Sequence, residues 1–573
     1  MVERSWLNNY PVRWKLDYPE QSLYRYLKDR TSSSGNLVAL VYHDQSISFA
    51  EMHDKIDRFA AALLDLGLSR GDRVALIMPN CPEYIYAYYA CMKIGSIEVQ
   101  VDPLYKQAET ELVLKDSEAK IIIVADMVYD SIRNIDVDKS FEHVIVNRIN
   151  GATVKENDHY WFDELLDLYP ADSPEANILP KEDVAVLQYT GGTTGKPKAA
   201  MLTHYNIICN TEQKKEWFSD WFKTKNSNGK VQEYGLAIMP FFHATGMTAV
   251  MNFGLTAPFG LILSTHFDVE STFEIIDRYR PAFFMGVPTI FSTIANHPEA
   301  GKHNLKSVDI WRTGGAPMPV EVIERLENQN GLKIIEGYGL TEASPTTHAN
   351  PFRGIRKFGS IGMPFPDTEC RIVDLEKGID DVPPGTEGEL IIKGPQVMKG
   401  YWKRPEETAE TLRNGWLYTG DIAKMDSGGY FYIVGRKKEM IITGGLNVFP
   451  GEVDEVISHH PKVAEVVSTG IPDDYYGEVL KTYVVLREGE KASEEELLEY
   501  CASRLAVYKL PRIIEFRKEL PKSTVGKLLR RVLAEENRSG TREQTDMQSP
   551  VKETFDWEEE IFNADDFMEE FDG

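Results

Sequence analysis

The chain has few cysteines, five in 573 residues, and no two of them form a C-x-x-C pair (Cys81, Cys91, Cys209, Cys370, Cys501). That excludes a disulfide framework and a structural zinc site, and it fits a reducing compartment. Positive charge is also scarce. Lys and Arg number 63 against 89 Asp and Glu, a formal net charge of −26, so nucleic acid is not an expected partner. Met1 to Glu20 mixes charges with aromatics and holds no apolar stretch of the kind a secretory leader needs. No repeat at solenoid spacing is visible. No Asp, Glu, Lys or Arg lies between Tyr234 and Phe267, a run long enough for a membrane helix of about 20 residues. Pro240, Gly246, Gly254, Pro258 and Gly260 interrupt it, so it reads as buried strands and a helix inside a large core.

At 42% hydrophobic and 27% charged the chain has the composition of a soluble globular protein. Its length corresponds to roughly four domain-sized units. Phe49 to Leu68 has helical spacing, and Val74–Met78 and Ile121–Val124 are apolar runs of strand length. Such alternation continues to about residue 350 and predicts α/β layers. Short alternating strands with Gly and Pro then dominate from about 355 to 435. The α/β pattern restarts after Arg436. The expected organisation is a large multi-subdomain N-terminal α/β domain (1–435) with a small β-rich subdomain, then a small mobile C-terminal α/β domain (436–538). Residues 539–573 form an acidic, aromatic tail expected to be disordered.

The richest stretch is Tyr189-Thr190-Gly191-Gly192-Thr193-Thr194-Gly195-Lys196-Pro197-Lys198, directly after Val184-Ala185-Val186-Leu187. Glycines let backbone N–H groups turn toward an anion, threonines add hydroxyl donors and lysines add charge. It is not the Walker loop, whose lysine precedes Ser or Thr and opens a helix. Here Pro197 follows Lys196 and biases it away from helical geometry. Further along come Gly337-Tyr338-Gly339-Leu340-Thr341-Glu342 (after Glu336), Tyr418-Thr419-Gly420-Asp421, Gly435-Arg436-Lys437-Lys438-Glu439, Thr443-Gly444-Gly445, and Pro521-Lys522-Ser523-Thr524-Val525-Gly526-Lys527.

In that order these stretches resemble the adenylate-forming superfamily of acyl-CoA synthetases, luciferases and peptide-synthetase adenylation domains. The resemblance covers roughly residues 1 to 535 and is nearest to long-chain fatty acid–CoA ligases, notably in Gly337–Pro345 and Pro240–Met247. It implies a two-step reaction. A carboxylate attacks the α-phosphorus of ATP to give acyl-AMP and pyrophosphate, and the thiol of coenzyme A then displaces AMP. The implied cofactors are ATP, Mg²⁺ and coenzyme A. The implied partner is a small-molecule carboxylic acid. A cytoplasmic location is expected, with peripheral contact at the inner membrane face and homo-oligomerisation left open.

The resemblance also implies roles. Thr190 to Lys198 grips the β- and γ-phosphates, with Lys196 and Lys198 supplying charge. Thr193 and Glu342 serve Mg²⁺, which prefers hard oxygens. Thr341 bonds the α-phosphate. Gly315-Ala316-Pro317 approaches adenine, and Tyr338 stacks on it beside Glu336, Gly337 and Gly339. Asp421 and Arg436 reach the ribose. His243 borders the acyl carboxylate, with no need to act as a base because that group is already ionised. Lys527 stabilises charge between carboxylate and α-phosphate. Lys438 is the hinge about which the C-terminal domain turns, and Gly444 and Gly445 leave room for the pantetheine arm. The chain departs from the pattern at Gly191, often Ser or Thr, and at Ala199-Ala200, where glycine is more usual. Two other readings remain: an adenylating enzyme with another acceptor or an aryl or medium-chain acid, and a catalytically silent interaction protein on the same fold. No carrier domain is seen after residue 535, which speaks against a peptide-synthetase acceptor, and Thr193, Glu342, Asp421 and Lys527 occurring together speak against a silent protein; the class of acid stays open.

Overall fold

The computed structural model describes residues 4–132, 135, 141–149, 151, 159–190, 198–226, 232–443, 446–473, 476–523 and 528–538. The chain divides into two compact units. The first comprises 1–371, 391–419 and 427–431, and the second 372–390, 420–426 and 432–573.

Among the described residues the first unit holds two large sheets. One runs, in spatial order, Tyr160–Trp161, His143–Asn147, Ile121–Ala125, Arg73–Ile77, Ile97–Gln100, Val184–Thr190 and Lys198–Thr203. Its neighbours are parallel except the last pair, a hairpin. Ile121–Ala125 is buried at every position, as expected for a parallel strand covered on both faces. Helix Phe49–Asp65 starts at a capping box, in which Ser48 Oγ accepts from the Glu51 amide and Glu51 Oε2 accepts from the Ser48 amide at 2.8 Å. It ends at Asp65, short of the expected Leu68, because Gly67 turns into the left-handed region at φ +83°.

The second sheet runs Met363–Pro364, Thr346–Ala349, Ile334–Gly339, Ile310–Thr313, Phe283–Gly286, Tyr234–Ala237, Gly260–Leu263, Val38–Tyr42 and Gln45–Ser48. Its centre is parallel and its edges are antiparallel. One face buries Leu236, Ile262, Phe284 and Trp311 against Phe291 and Ile323. The charge-free run becomes two neighbouring strands of this sheet, joined through a π-wound turn, Thr245–Asn252, and a short helix, Phe253–Thr256. Within that turn the Asn252 side chain donates from Nδ2 to the Met247 carbonyl at 3.0 Å. No described helix is long and apolar enough to cross a membrane.

Glu369–Val373, Gly388–Lys393, Trp416–Met425, Leu412–Arg413 and Phe431–Arg436 make the β-rich sheet expected from the sequence. In the second unit, Val463–Asp473 and Gly477–Leu486 form a long hairpin. It is joined by Ile441–Thr443, Leu446–Val448 and Ile513–Phe516. Helices Pro450–Ser458 and Glu494–Ala502 place Val453, Ile457, Leu497 and Leu498 in its core with Val466 and Val484.

A tight turn links Ile334–Gly339 to Thr346–Ala349. The Leu340 amide donates to the Pro345 carbonyl at 2.9 Å, and a Cβ on Gly339 would stand 2.1 Å from that same oxygen. Only glycine fits there. Gly339→Ala is expected to cost about 3 kcal/mol or more. Gly359→Ala, at φ +74° with nothing within 4 Å of the added carbon, is expected to cost about 1–2 kcal/mol. Thermal unfolding of the two variants side by side checks the ranking.

Candidate active site

In open α/β sheets the carboxyl ends of parallel strands gather functional groups. Ile310–Thr313 is followed by Gly314-Gly315-Ala316-Pro317, and the next strand, Ile334–Gly339, runs into Thr341–Ala343. Thr313 pairs with Glu336. A Cβ on Gly314 would stand 2.9 Å from the Gly337 carbonyl oxygen, and Gly315 adopts φ +87°. The two glycine-bearing segments therefore lie backbone to backbone, with Tyr338 following. Tyr338 pairs in register with His348, their rings 5.9 Å apart. Glu336 is nearly buried, and burial pushes its carboxyl up to about 8.

The first sheet supplies the phosphate-loop candidates. Its last hairpin sets Thr190 opposite Lys198. Gly191, Gly192, Thr193, Thr194, Gly195 and Lys196 lie outside the described residues. Lys198 Nζ is 5.5 Å from the Tyr401 ring centre and 3.9 Å from Glu407 Oε1. The Tyr401 hydroxyl donates to Glu342 Oε1 at 2.8 Å, and the Met398 amide donates to the Glu342 carbonyl at 2.8 Å. Burial and the Glu342 carboxylate push the Tyr401 phenol well up, so it stays a donor. The Trp402 amide donates to the Ala199 carbonyl at 2.9 Å. Sequence reading missed Tyr401, which stands 59 residues from Glu342. Its neighbours Lys399-Gly400 and Trp402 offered no periodic or motif signal.

His243 sits in the loop after Tyr234–Ala237. Three buried amides grip that loop's backbone. Asn80 Nδ2 donates to the Ala237 and Met239 carbonyls at 3.1 Å, and Asn80 Oδ1 accepts from the Phe241 amide at 2.8 Å. Gln100 Nε2 donates to the Phe241 carbonyl at 3.1 Å, and Gln188 Nε2 to the Phe242 carbonyl at 2.9 Å. Gln100 and Gln188 are register partners on adjacent strands of the first sheet. A Cβ on Gly246 would fall 2.0 Å from the Pro240 carbonyl, so the loop closes tightly on itself. Among the described residues His243 Nε2 is buried without a hydrogen-bond partner, and burial pulls the imidazole down against the opposing charge of Asp102. The signal for these amides was present in the sequence, since a polar residue inside an apolar strand run must find a partner.

The second unit holds its own candidates. Asp421 is buried, and Arg436 Nε pairs with its Oδ1 at 3.0 Å. Glu389, absent from the sequence reading, accepts from the Gly420 amide at 3.2 Å and pairs with Lys437 at 2.9 Å. It thus ties Gly420, beside Asp421, to the residue before Lys438, which lies in the turn Lys437–Glu439. Thr443 pairs with Leu446, while Gly444 and Gly445 lie outside the described residues. Lys527 also lies outside them, between the bridged pair Lys522 and Leu528.

Mg²⁺ takes one or two protein oxygens and leaves its other positions to phosphate and water. Glu342 fits that pattern, because among the described residues only its Oε1 is engaged by a side chain. No described group of three His, Cys, Asp or Glu forms a protein cage for a metal.

The family model "AMP-binding enzyme" matches residues 27–402, and "AMP-binding enzyme C-terminal domain" matches 452–527. A long-chain-fatty-acid–CoA ligase of Bacillus subtilis is 42% identical over 93% of this chain and 98% of its own length. One of Escherichia coli O6:H1 is 36% identical over 94% and 99%. The ATP-bound crystal structure of MatB from Rhodopseudomonas palustris superposes with a TM-score of 0.81 at 28% identity, covering 90% of this chain and 99% of that one. Glycine-bearing strand ends, an acid held by a distant tyrosine and two family models in chain order meet in one conclusion: this chain belongs to the AMP-binding enzymes, the adenylate-forming acyl-CoA ligases.

Proposed function

We propose that the protein activates long-chain fatty acids with ATP and passes the acyl group to coenzyme A. The observation that carries this reading is the Glu342–Tyr401 hydrogen bond beside Lys198, at the strand end that also bears the Gly337–Thr341 backbone. A carboxylate aimed by a phenol and set next to a lysine suits a triphosphate site. The substrate class follows the names of the relatives from Bacillus subtilis and Escherichia coli.

In the first half-reaction a carboxylate oxygen attacks the α-phosphorus and pyrophosphate leaves. Both partners are anionic, so the site must lower repulsion and hold an in-line approach. We assign the β- and γ-phosphates to Thr190–Lys198, with Lys196 and Lys198 as the charges. Thr341 holds the α-phosphate, and Lys527 bridges it to the acyl carboxylate. Gly315–Pro317 and Tyr338 flank adenine, while Asp421 takes the ribose hydroxyls with Arg436 beside it. His243, fixed by the three amides on its loop, orients the acyl carboxylate. Glu342 with Thr193 would hold Mg²⁺, which when bound neutralises phosphate charge. In the second half-reaction the thiol attacks the acyl carbon and AMP leaves with the original carboxylate oxygen. We propose that residues 436–538 turn about Lys438 between the halves, withdrawing Lys527 and presenting the Thr443–Asn447 loop, whose Gly444 and Gly445 leave a path for pantetheine.

Lys527→Ala is expected to slow adenylate formation by about 10²–10³-fold, the usual loss for one preorganised charge. It should spare thioester formation from supplied acyl-adenylate, and equal loss in both half-reactions would remove the assigned role. Tyr401→Phe is expected to raise the Mg²⁺ needed for half-maximal pyrophosphate release by about 10-fold, since it frees the carboxylate from its orienting donor. A Mg²⁺ titration of wild type and variant checks this.

A further inference from the structure

Two cations are buried in the first unit without an acid beside them. Arg312, on strand Ile310–Thr313, is 1% exposed. Its Nη2 donates to Thr346 Oγ1 at a long 3.4 Å, and its guanidinium carbon lies 5.6 Å from the Phe365 ring centre. Among the described residues, Nε and Nη1 are buried with no hydrogen-bond partner. Lys214, from helix His204–Trp217, is also 1% exposed. Its ammonium donates to the Ala249 carbonyl and stands 4.2 Å from the ring centres of Phe253 and Phe283. Among the described residues neither pairs with Asp or Glu. Burial brings the Arg312 guanidinium down to about 10, so it keeps its charge at neutral pH. Burial also pulls the Lys214 ammonium well down, and the Arg312 charge adds to that shift.

His243 is the residue assigned to the acyl carboxylate; Lys214 bonds into the turn that follows it, and both basic side chains stand on the sheet face of Phe283 and Met285. In parallel register Arg312 stands beside Met285 on one side and Ile335 on the other. Side chains alternate along a strand, so Arg312 shares a sheet face with Phe283 and Met285, while Trp311 points into the opposite core. Lys214 caps that face at Phe283 and bonds into the turn Thr245–Asn252 that carries Met247 and Met251. A wall for a plain hydrocarbon tail needs only apolar side chains there. A guanidinium with two unpaired donors costs free energy until an acceptor arrives, and a methyl-ended chain brings none. A carboxylate matches the guanidinium fork with two parallel charge-assisted bonds, and its negative charge would in turn favour the charged form of Lys214.

We propose that the preferred acid is a fatty acid with a second, distal carboxylate, whose far end is bound by Arg312 with Lys214 as a supporting charge. This rests on the acyl–CoA ligase reading and narrows its substrate class.

The test is ATP-dependent pyrophosphate release by the full-length protein with acids matched in length. At each length one acid is methyl-ended, one carries an ω-hydroxyl and one an ω-carboxylate. At the best-fitting length the ω-carboxylate acid is expected to exceed its methyl-ended counterpart in kcat/KM by about tenfold or more, the usual discrimination when a charged group is left unpaired. Arg312→Met should raise KM for the diacid by about the same factor and leave the methyl-ended acid nearly unchanged. Equal or lower kcat/KM for diacids at every length would overturn the proposal, as would a preference for the ω-hydroxy acid. An Arg312→Met variant that melts like wild type but loses both acids equally would also overturn it. The wild-type comparison stands alone if that variant does not fold. Release from methyl-ended acids alone refutes the distal carboxylate and keeps the ligase, whereas release from no acid refutes the ligase itself.

Discussion

Close backbone approach at the carboxyl end of the second sheet is the constraint on which the site depends. Gly314 lies against the Gly337 carbonyl, and Gly339 lies against the Pro345 carbonyl. Any side chain at these positions would push apart the segments that bring Gly315–Pro317, Tyr338, Thr341 and Glu342 together. The apolar core beneath them, with Trp311, Phe284 and Phe291, keeps the strands in register so that this contact forms at one place. Backbone proximity sets the stage, and the charged side chains act from it.

A second layer of order comes from buried polar groups that act on backbone. Asn80, Gln100 and Gln188 satisfy their own donors by holding the carbonyls of the His243 loop, joining the first sheet to the second. Tyr401 does the same for Glu342 through a side chain. Each buried amide donor so paired restricts the loop's geometry, while the Oε1 atoms of Gln100 and Gln188 stay buried without a partner among the described residues. The loop carrying His243 thus gains rigidity from residues with no direct place in the chemistry.

The α/β layering, the β-rich region and the division of the charge-free run into strands were legible in the sequence, because periodicity and turn residues report local structure. The glycine-bearing stretches were legible because close approach needs glycine. Tyr401 and Glu389 were not, since their importance lies in a partner far away in the chain and no local pattern marks it. The two glutamines were half legible: their polarity inside apolar runs demanded partners, but Phe241 and Phe242 as those partners emerge only from the packing of two sheets. Arg312 and Lys214 carry no local signal in the sequence, because what sets them apart is burial without a paired acid among the described residues. The end of helix Phe49–Asp65 differed from expectation because Gly67 interrupts the helix before the apolar pattern does.

The central claim is that the acid is activated by joining one of its own oxygens to the α-phosphorus of ATP. The direct measurement uses a fatty acid labelled with ¹⁸O in its carboxylate, turned over with ATP, Mg²⁺ and coenzyme A, with AMP and pyrophosphate examined by mass spectrometry. The account predicts one ¹⁸O in each AMP formed and none in pyrophosphate. Unlabelled AMP alongside acyl-CoA product, or label in pyrophosphate, would contradict it.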